Sequence, residues 1–319
     1  MTSHIPIMIK GVSDFGRAFC ICAAAWRPNA VGVLVAAAVM TGTARADEHS
    51  GQARPPAVLA SSVAEVLPVL AGADVVFLGE IHDNPAHHAV QAEIITALQP
   101  AAVVWEMITA TQAAALTPDL LQDGPALAET LDWTQSGWPE FALYQPVFAA
   151  SHGAAQFGAL VPRTETRRAM EQGVAGVFGP DAVAYGLTTP LDEAEQAARE
   201  ADQLASHCNA MPGEMLPVLV ELQRLRDAVL ARAVVAALVH VAADPVRQSG
   251  GQNPGSVVVV TGNGHARLDR GAPLALRQAR PALKITALGQ SEGGQIEGTF
   301  DVVMEADPVP RPDPCLAFQ

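Results

Sequence analysis

Val75-Val76-Phe77-Leu78-Gly79-Glu80-Ile81-His82-Asp83-Asn84-Pro85 decides how this chain folds. Four apolar residues, β-branched and aromatic, end at a glycine and give way to polar residues. A short continuous apolar run of this kind predicts a strand buried on both faces of a parallel sheet. Asn84-Pro85 is punctuation, and Val90, Ile94, Ile95 and Leu98 follow at helical spacing over 86–99 until Pro100 stops the helix. The next apolar run, Ala102 to Trp105, ends in Glu106. Strand, helix, strand within about 30 residues is a βαβ unit.

From 109 to 150 the pattern is mostly helical, broken by Pro118, Gly124-Pro125 and Gly137-Trp138-Pro139. Gln156 to Val161 reads as a third strand and 163–173 as a helix. Two longer helical segments, 192–206 and 213–241, follow with no strand signal, so a helical subdomain inserted at about 165–250 is expected. A Pro/Gly/Gln/Ser-rich stretch over 244–256 is a loop. Val257 to Val260 carries the strongest strand signal in the chain. Leu283 to Leu288 and Phe300 to Glu305 close the sheet. Gly289, Ser291 and Gly293 spell a Gly-x-Ser-x-Gly string, but no helix follows it as a nucleophile elbow requires, so it reads as a glycine-rich hairpin loop. The expected class is α/β: a mostly parallel sheet flanked by helices, one domain over 71–319 behind a lead-in segment at 47–70.

The chain has 319 residues, half of them hydrophobic and 16% charged, which excludes a disordered chain. Lys plus Arg number 19 against 33 for Asp plus Glu, a net charge of −14. That balance argues against nucleic acid or an anionic membrane surface as partner. Lys10, Arg17 and Arg27 precede an apolar run from Ala30 to Met40, and Ala44-Arg45-Ala46 completes an A-x-A site. This is the pattern of a secretory signal peptide over 1–46, cleaved near Ala46. The apolar run is short of the roughly 20 residues a membrane span needs, and none follows it. No lipobox-like stretch precedes Cys20 or Cys22, so a periplasmic or secreted protein without a lipid anchor is expected. Cleavage removes four basic residues and Asp14 and leaves a charge of −17. Only Cys208 and Cys315 remain. An oxidising compartment permits a bridge between them, and the spacing does not settle it.

Ligands of open α/β sheets bind beyond the carboxyl ends of the strands. Three expected strand ends carry polar residues there: Glu80 and His82, then Glu106, then Gly262-Asn263-Gly264-His265-Ala266-Arg267. Two Gly-x-x-His strings, 79–82 and 262–265, can set two imidazoles around one crevice. With Glu80 and Glu106 they form a candidate divalent-metal or general acid–base cluster, and Arg267 can hold an oxyanion. At most one of His87 and His88 faces that crevice. His207, Cys208 and Met211 carry soft or borderline donors that can line a cofactor pocket, or simply form a helix-hairpin turn. Tyr144 follows Trp138 and Phe141 in an aromatic-poor chain. That group suits a flat apolar ligand such as haem, or an ordinary core. The chain after residue 46 has no Walker loop, Gly-x-Gly-x-x-Gly or Cys-x-x-Cys, so nucleotide-binding and thioredoxin-like readings lose their support.

The string from Leu78 to Gln91 resembles the ChaN-like family of haem-binding, iron-regulated lipoproteins. The likeness continues through Val104-Trp105-Glu106-Met107, Trp138-Pro139 to Tyr144, Pro162-Arg163, His207-Cys208 and Gln223-x-x-Arg226-Asp227-Ala228, and ends at Thr261 to Arg267. It implies an α/β core with a helical insertion, haem binding between two protomers, and a part in iron uptake alongside a transporter. It also implies a tyrosine iron ligand, for which Tyr144 is the matching position, with His207, Met211 and Arg267 as further cofactor-binding candidates. The paired Gly-x-x-His pattern also resembles a wider superfamily with TIKI metalloproteases and erythromycin esterases. There Glu80, His82, Glu106 and His265 correspond to a catalytic or metal-binding set. A haem-binding protein and a metal-dependent hydrolase are therefore both open.

Overall fold

In the sheet, Val257–Val260 lies between Val75–Leu78 and Ala102–Trp105, and all twelve residues are fully buried. The structure, a computed structural model, describes residues 57–244, 256–313 and 315–316. The signal-peptide segment, the front of the lead-in and most of the 244–256 loop lie outside the described residues.

The strands are β1 (Val58–Ala60), β2 (Val75–Leu78), β3 (Ala102–Trp105), β4 (Ala155–Gly158), β5 (Val257–Val260), β6 (Ile285–Glu292) and β7 (Val302–Ala306). They form one sheet in the order β1-β7-β6-β2-β5-β3-β4, and every pairing is parallel. The chain runs outward from β2 to β3 and β4, returns to β5, and crosses β2 to reach β6. The crevice at such a switch point is where α/β sheets place ligands.

Alternation along the strands separates two cores. Val76, Leu78, Val103, Trp105, Val258 and Val260 face α1 (Val63–Leu70), α2 (Pro85–Leu98) and the short helices α3 (Ala110–Ala114), α4 (Pro118–Gln122), α5 (Gly124–Thr130), α6 (Trp133–Ser136) and α7 (Phe141–Ala150). Val75, Phe77, Ala102, Val104, Val257 and Val259 face α8 (Arg163–Gln172), α9 (Val174–Phe178), α11 (Leu216–Ala243), the single turn α12 (Asn263–Ala266) and α13 (Ala272–Ala279). Between α9 and α11 comes the largely exposed α10 (Glu193–Ser206).

Helix α2 begins as its sequence predicts: the Asn84 side chain accepts from Ala86 N at 2.9 Å, with Pro85 in the first turn. It ends at Gln99, whose φ of 46° is left-handed, just before Pro100. Its buried face is His87, His88, Gln91, Ile94 and Ile95. That stripe is polar in its first half and apolar in its second, so the polar half meets the loop after β2.

The lead-in at 47–70 ends in regular structure: β1 pairs with β7, and α1 buries Val63, Val66 and Leu70. The helices expected as an insertion at about 165–250 are present, and they share a core with the sheet. Leu225, Leu230 and Val234 of α11 pack in one cluster with Val257 and Val259, so it builds a face of the sheet. The Gly289–Gly293 string is not a hairpin. β6 continues through Ser291 to Glu292, and β7 pairs with it in parallel, from Leu288 with Val302 to Glu292 with Ala306. The chain therefore returns along the strand before pairing, and Phe300 is buried on the way. Ser291 itself is buried and donates to the Glu305 carboxylate.

Cys208 and Cys315 are joined in a disulfide across 107 residues of chain. Cys208 and Asn209 hold the left-handed turn between α10 and α11, with φ of 58° and 56°. The bridge pins the C-terminal segment to that turn. Closing a loop of this length stabilises by about 5 kcal/mol in the chain-entropy account. The double variant Cys208→Ser, Cys315→Ser is expected to unfold at lower denaturant, and reduced wild type to match it. An unchanged midpoint in both would overturn the bridge.

Candidate functional site

Glu80 and His82 leave the end of β2, Glu106 the end of β3, and Thr261, Gly262 and His265 the end of β5. The three strands are neighbours, so these side chains converge. His82 Nδ1 lies 2.7 Å from Glu80 Oε1, which also accepts from Tyr144 Oη at 2.8 Å. Glu106 Oε2 accepts from Thr261 Oγ1 at 2.5 Å and Gly262 N at 2.8 Å, and its Oε1 lies 3.6 Å from His265 Nε2. His265 Nδ1 is 2.7 Å from Asp227 Oδ1 of α11. Asp227, His265 and Glu106 thus form a row, with the imidazole between two carboxylates.

The two Gly-x-x-His strings need each other's glycine. A Cβ on Gly262 would come within 2.9 Å of His82 Nε2, and one on Gly79 would overlap the Asn263 side chain and approach Leu288 O at 2.9 Å. Each glycine is the space its partner string fills. Both helix histidines brace the first loop from below. His87 Nδ1 accepts from Ile81 N at 2.9 Å, and His88 Nε2 donates to His82 O at 2.9 Å. Both are buried, and His88 reaches Glu80 Oε2 at 3.5 Å.

Burial opposes a charge on His265, but Glu106 and Asp227 outweigh it and push its pKa up to about 9. Burial likewise opposes a charged His82, and Glu80 with Glu106 turns the balance upward. Burial would raise Glu106, yet His265, His82 and its two hydrogen-bond donors hold it below the ordinary range. Asp227 is raised by burial, which its bond to His265 offsets only in part. Burial and then the Glu80 charge push the Tyr144 phenol up, so it stays a proton donor.

Glu106 and His265 form the floor of a cleft of about 620 Å³. Its walls are Trp138, Leu160, Val161, Met170 and Leu230, and Arg163, Arg167 and Arg226 line it as well. Among the described residues none of these three guanidiniums makes an ion pair.

The other cofactor candidates lie elsewhere. Tyr144 is at the cluster, but it is fully buried with its hydroxyl given to Glu80, so it is not presented to the cleft. His207 caps α10 through Gln203 O at 2.8 Å. Met211 sits in the turn after the disulfide, and Arg267 is held by Asp269 at 2.6 and 3.0 Å. Glu80, His82, Glu106 and His265, the alternative metal set, are brought to one cluster. Among the described residues no group of three or more His, Cys, Asp or Glu side chains is disposed to hold an ion. Glu80 Oε1, His82 Nδ1, Glu106 Oε2 and His265 Nδ1 are engaged with Tyr144, Thr261, Gly262, Asp227 and one another, and Glu80 Oε2 is buried without a hydrogen-bond partner. The sequence reading gave no role to Arg163, Arg167, Arg226 or Asp227. An Asp and an Arg inside an otherwise Leu/Val/Ala-rich helix was the available signal.

This is first a class of α/β protein: a parallel sheet with a buried carboxylate–imidazole row at its switch point, opening into an apolar, arginine-lined cleft. Over residues 66–276 the chain matches the family described as haem-binding uptake, Tiki superfamily, ChaN, and it belongs to that family. Among solved structures it is similar to ChaN of Campylobacter jejuni, solved with cofacial haem, at 22% identity over 76% of this chain and 91% of that one, with a TM-score of 0.55. At that identity the likeness establishes the fold. The type III effector HopBA1 is also similar, at 15% identity over 80% of this chain and 96% of that one, with a TM-score of 0.43. No curated protein matches the chain.

The pKa of His265 makes stability depend on pH with a definite sign. Its folded value lies above the ordinary 6.5, so its contribution is complete below pH 6.5 and lost as pH rises through about 9. The loss is about 3 kcal/mol. Urea midpoints of wild type should fall between pH 6.5 and 9.5, and His265→Gln should keep only the slope that His82 supplies. Equal slopes in the two proteins would refute the assignment.

Proposed function

We propose that this protein binds haem in the Glu106–His265 cleft and serves haem or iron acquisition outside the cytoplasm. The observation that carries the reading is the cleft's composition. Trp138 and four aliphatic or thioether side chains suit a flat apolar disc, and three unpaired guanidiniums suit the two carboxylates at its edge. The residues present fit the group. Arg163, Arg167 and Arg226 would hold the propionates. His265 would offer Nε2 to the iron, its Nδ1 held by Asp227 as ligating imidazoles commonly are. The Nε2 proton, held by the nearby Glu106 and Asp227 charges, would leave to solvent through the cleft when the iron binds. Bound haem supplies iron redox and ligand chemistry, and the chain binds, orients and shields it.

Family membership supports haem binding, and the signal-like sequence over 1–46 supports export. A disulfide suits an oxidising compartment. Among the described residues no helix is long and apolar enough to cross a membrane. The transporter partner and a haem-linked homodimer belong to the same proposal.

Haem titration of the chain from Asp47 onward, followed by absorbance and size exclusion, tests it. A saturable Soret shift with dimer formation is expected. Arg163→Gln and Arg226→Gln should each weaken binding about tenfold. His265→Ala should move the Soret band, and Tyr144→Phe should leave it in place. Absence of saturable binding refutes the proposal. A spectrum that follows Tyr144 instead of His265 refutes the ligand assignment.

A further inference from the structure

A second cavity lies across the 159–161 segment from the cleft. It is a groove of about 730 Å³ between α11, α9, α3 and the residues that follow β4. Its volume falls within the roughly 300–1,000 Å³ of small-molecule sites. Leu225, Val229, Ala233 and Ala236 line it from α11 at helical spacing. At 1.5 Å of rise per residue this wall runs about 16 Å, so the groove is elongated. Phe178, Val161 and the small side chains Ala110 and Ala114 complete the apolar lining.

One guanidinium sits in it. Arg232 is half-buried, its centre lies 4.1 Å from the Phe178 ring centroid, and one nitrogen donates to Phe178 O at 2.9 Å. Among the described residues it has no carboxylate partner. Glu165 also lines the groove, but it is taken by Arg168 at 2.8 and 3.0 Å. Arginine in an apolar setting is suited to a planar carboxylate, which uses its remaining donors two at a time.

We propose that this groove is a binding site for a monocarboxylate with a long alkyl chain, a fatty acid. The chain lies along α11 and the carboxylate meets Arg232. Among the described residues, its lining of several alanines with one guanidinium distinguishes it from the cleft, where three arginines match a dianionic disc. The proposal does not depend on the haem reading, because the cavities share only the 159–161 wall and have separate charges.

The test is a titration with 11-(dansylamino)undecanoic acid, read as fluorescence enhancement and blue shift, with displacement by palmitate, hexadecanol and haem. Saturable one-to-one binding is expected, with palmitate displacing the probe and hexadecanol doing so about tenfold less well. Arg232→Gln should weaken probe binding about tenfold. That variant also loses the bond to Phe178, so Ala236→Phe is measured beside it. It fills the groove and leaves the guanidinium in place, and it should abolish binding while the cleft's Soret response is unchanged. No saturable binding, equal competition by the alcohol, wild-type affinity in Ala236→Phe, or stoichiometric displacement by haem would each overturn the proposal.

Discussion

Glu106 follows four fully buried residues of a central strand, and its charge has to be matched there by neighbours. A carboxylate leaving water loses several kcal/mol of solvation unless it is bonded and paired. The chain meets that demand by bringing β5 back between β2 and β3. Thr261 and Gly262 then donate to one oxygen and His265 faces the other. The imidazole, charged for Glu106's sake, needs a second anion, and Asp227 of α11 provides it. One buried carboxylate thus links the strand order, the long helix over one face and the row of ionisable groups.

Much of this was legible in the sequence. β2, β3 and β5 fall where the apolar runs place them, because a strand buried on both faces carries an uninterrupted signal. Glu80, His82, Glu106 and His265 stood out because polar residues directly after such strands have no role in a plain core. What the pattern could not give was partnership between distant segments. Nothing local shows that Gly262 makes room for His82, or that Gly79 makes room for Asn263, since each clash involves residues about 180 positions apart. Asp227 and Arg226 were hidden for a related reason. They are adjacent on α11 and point to different places, one toward His265 and one into the cleft, and only the helix's position on the sheet assigns them. Tyr144 shows another limit. Scarcity of tyrosine drew attention to it, but burial beneath the loop makes it a support for Glu80.

The β6–β7 connection misled for a physical reason too. A glycine-rich break between two apolar runs has the same composition whether the second strand comes back antiparallel or after a return crossing. Composition marks a turn and not its direction. Here pairing is parallel, and the return segment buries Phe300 in the cluster that holds Ala287 and Val303. The edge strand β1 was missed because two of its three residues are exposed, and its pairing comes entirely from β7.

The same economy of partners extends to the C-terminal segment. Arg311 makes bidentate contacts with Asp83 at 2.6 Å and reaches Glu292 at 2.7 and 2.8 Å. Hydrogen bonding to Arg311 holds the Glu292 carboxyl down to about 2, against the small opposing effect of burial. Asn84, which caps α2, donates to Glu292 and to Asp307 O. The loop carrying His82 is thereby tied to the end of β6 and to the segment after β7. A few residues further on, that segment is bonded covalently to Cys208. An exposed ion pair taken alone contributes little. Here the pairs share one guanidinium, one cap and one covalent anchor, so moving the loop would break several contacts at once. That gives the loop a fixed position, which a binding site needs if His82 and Glu80 are to stay beside Glu106 when the cleft is filled.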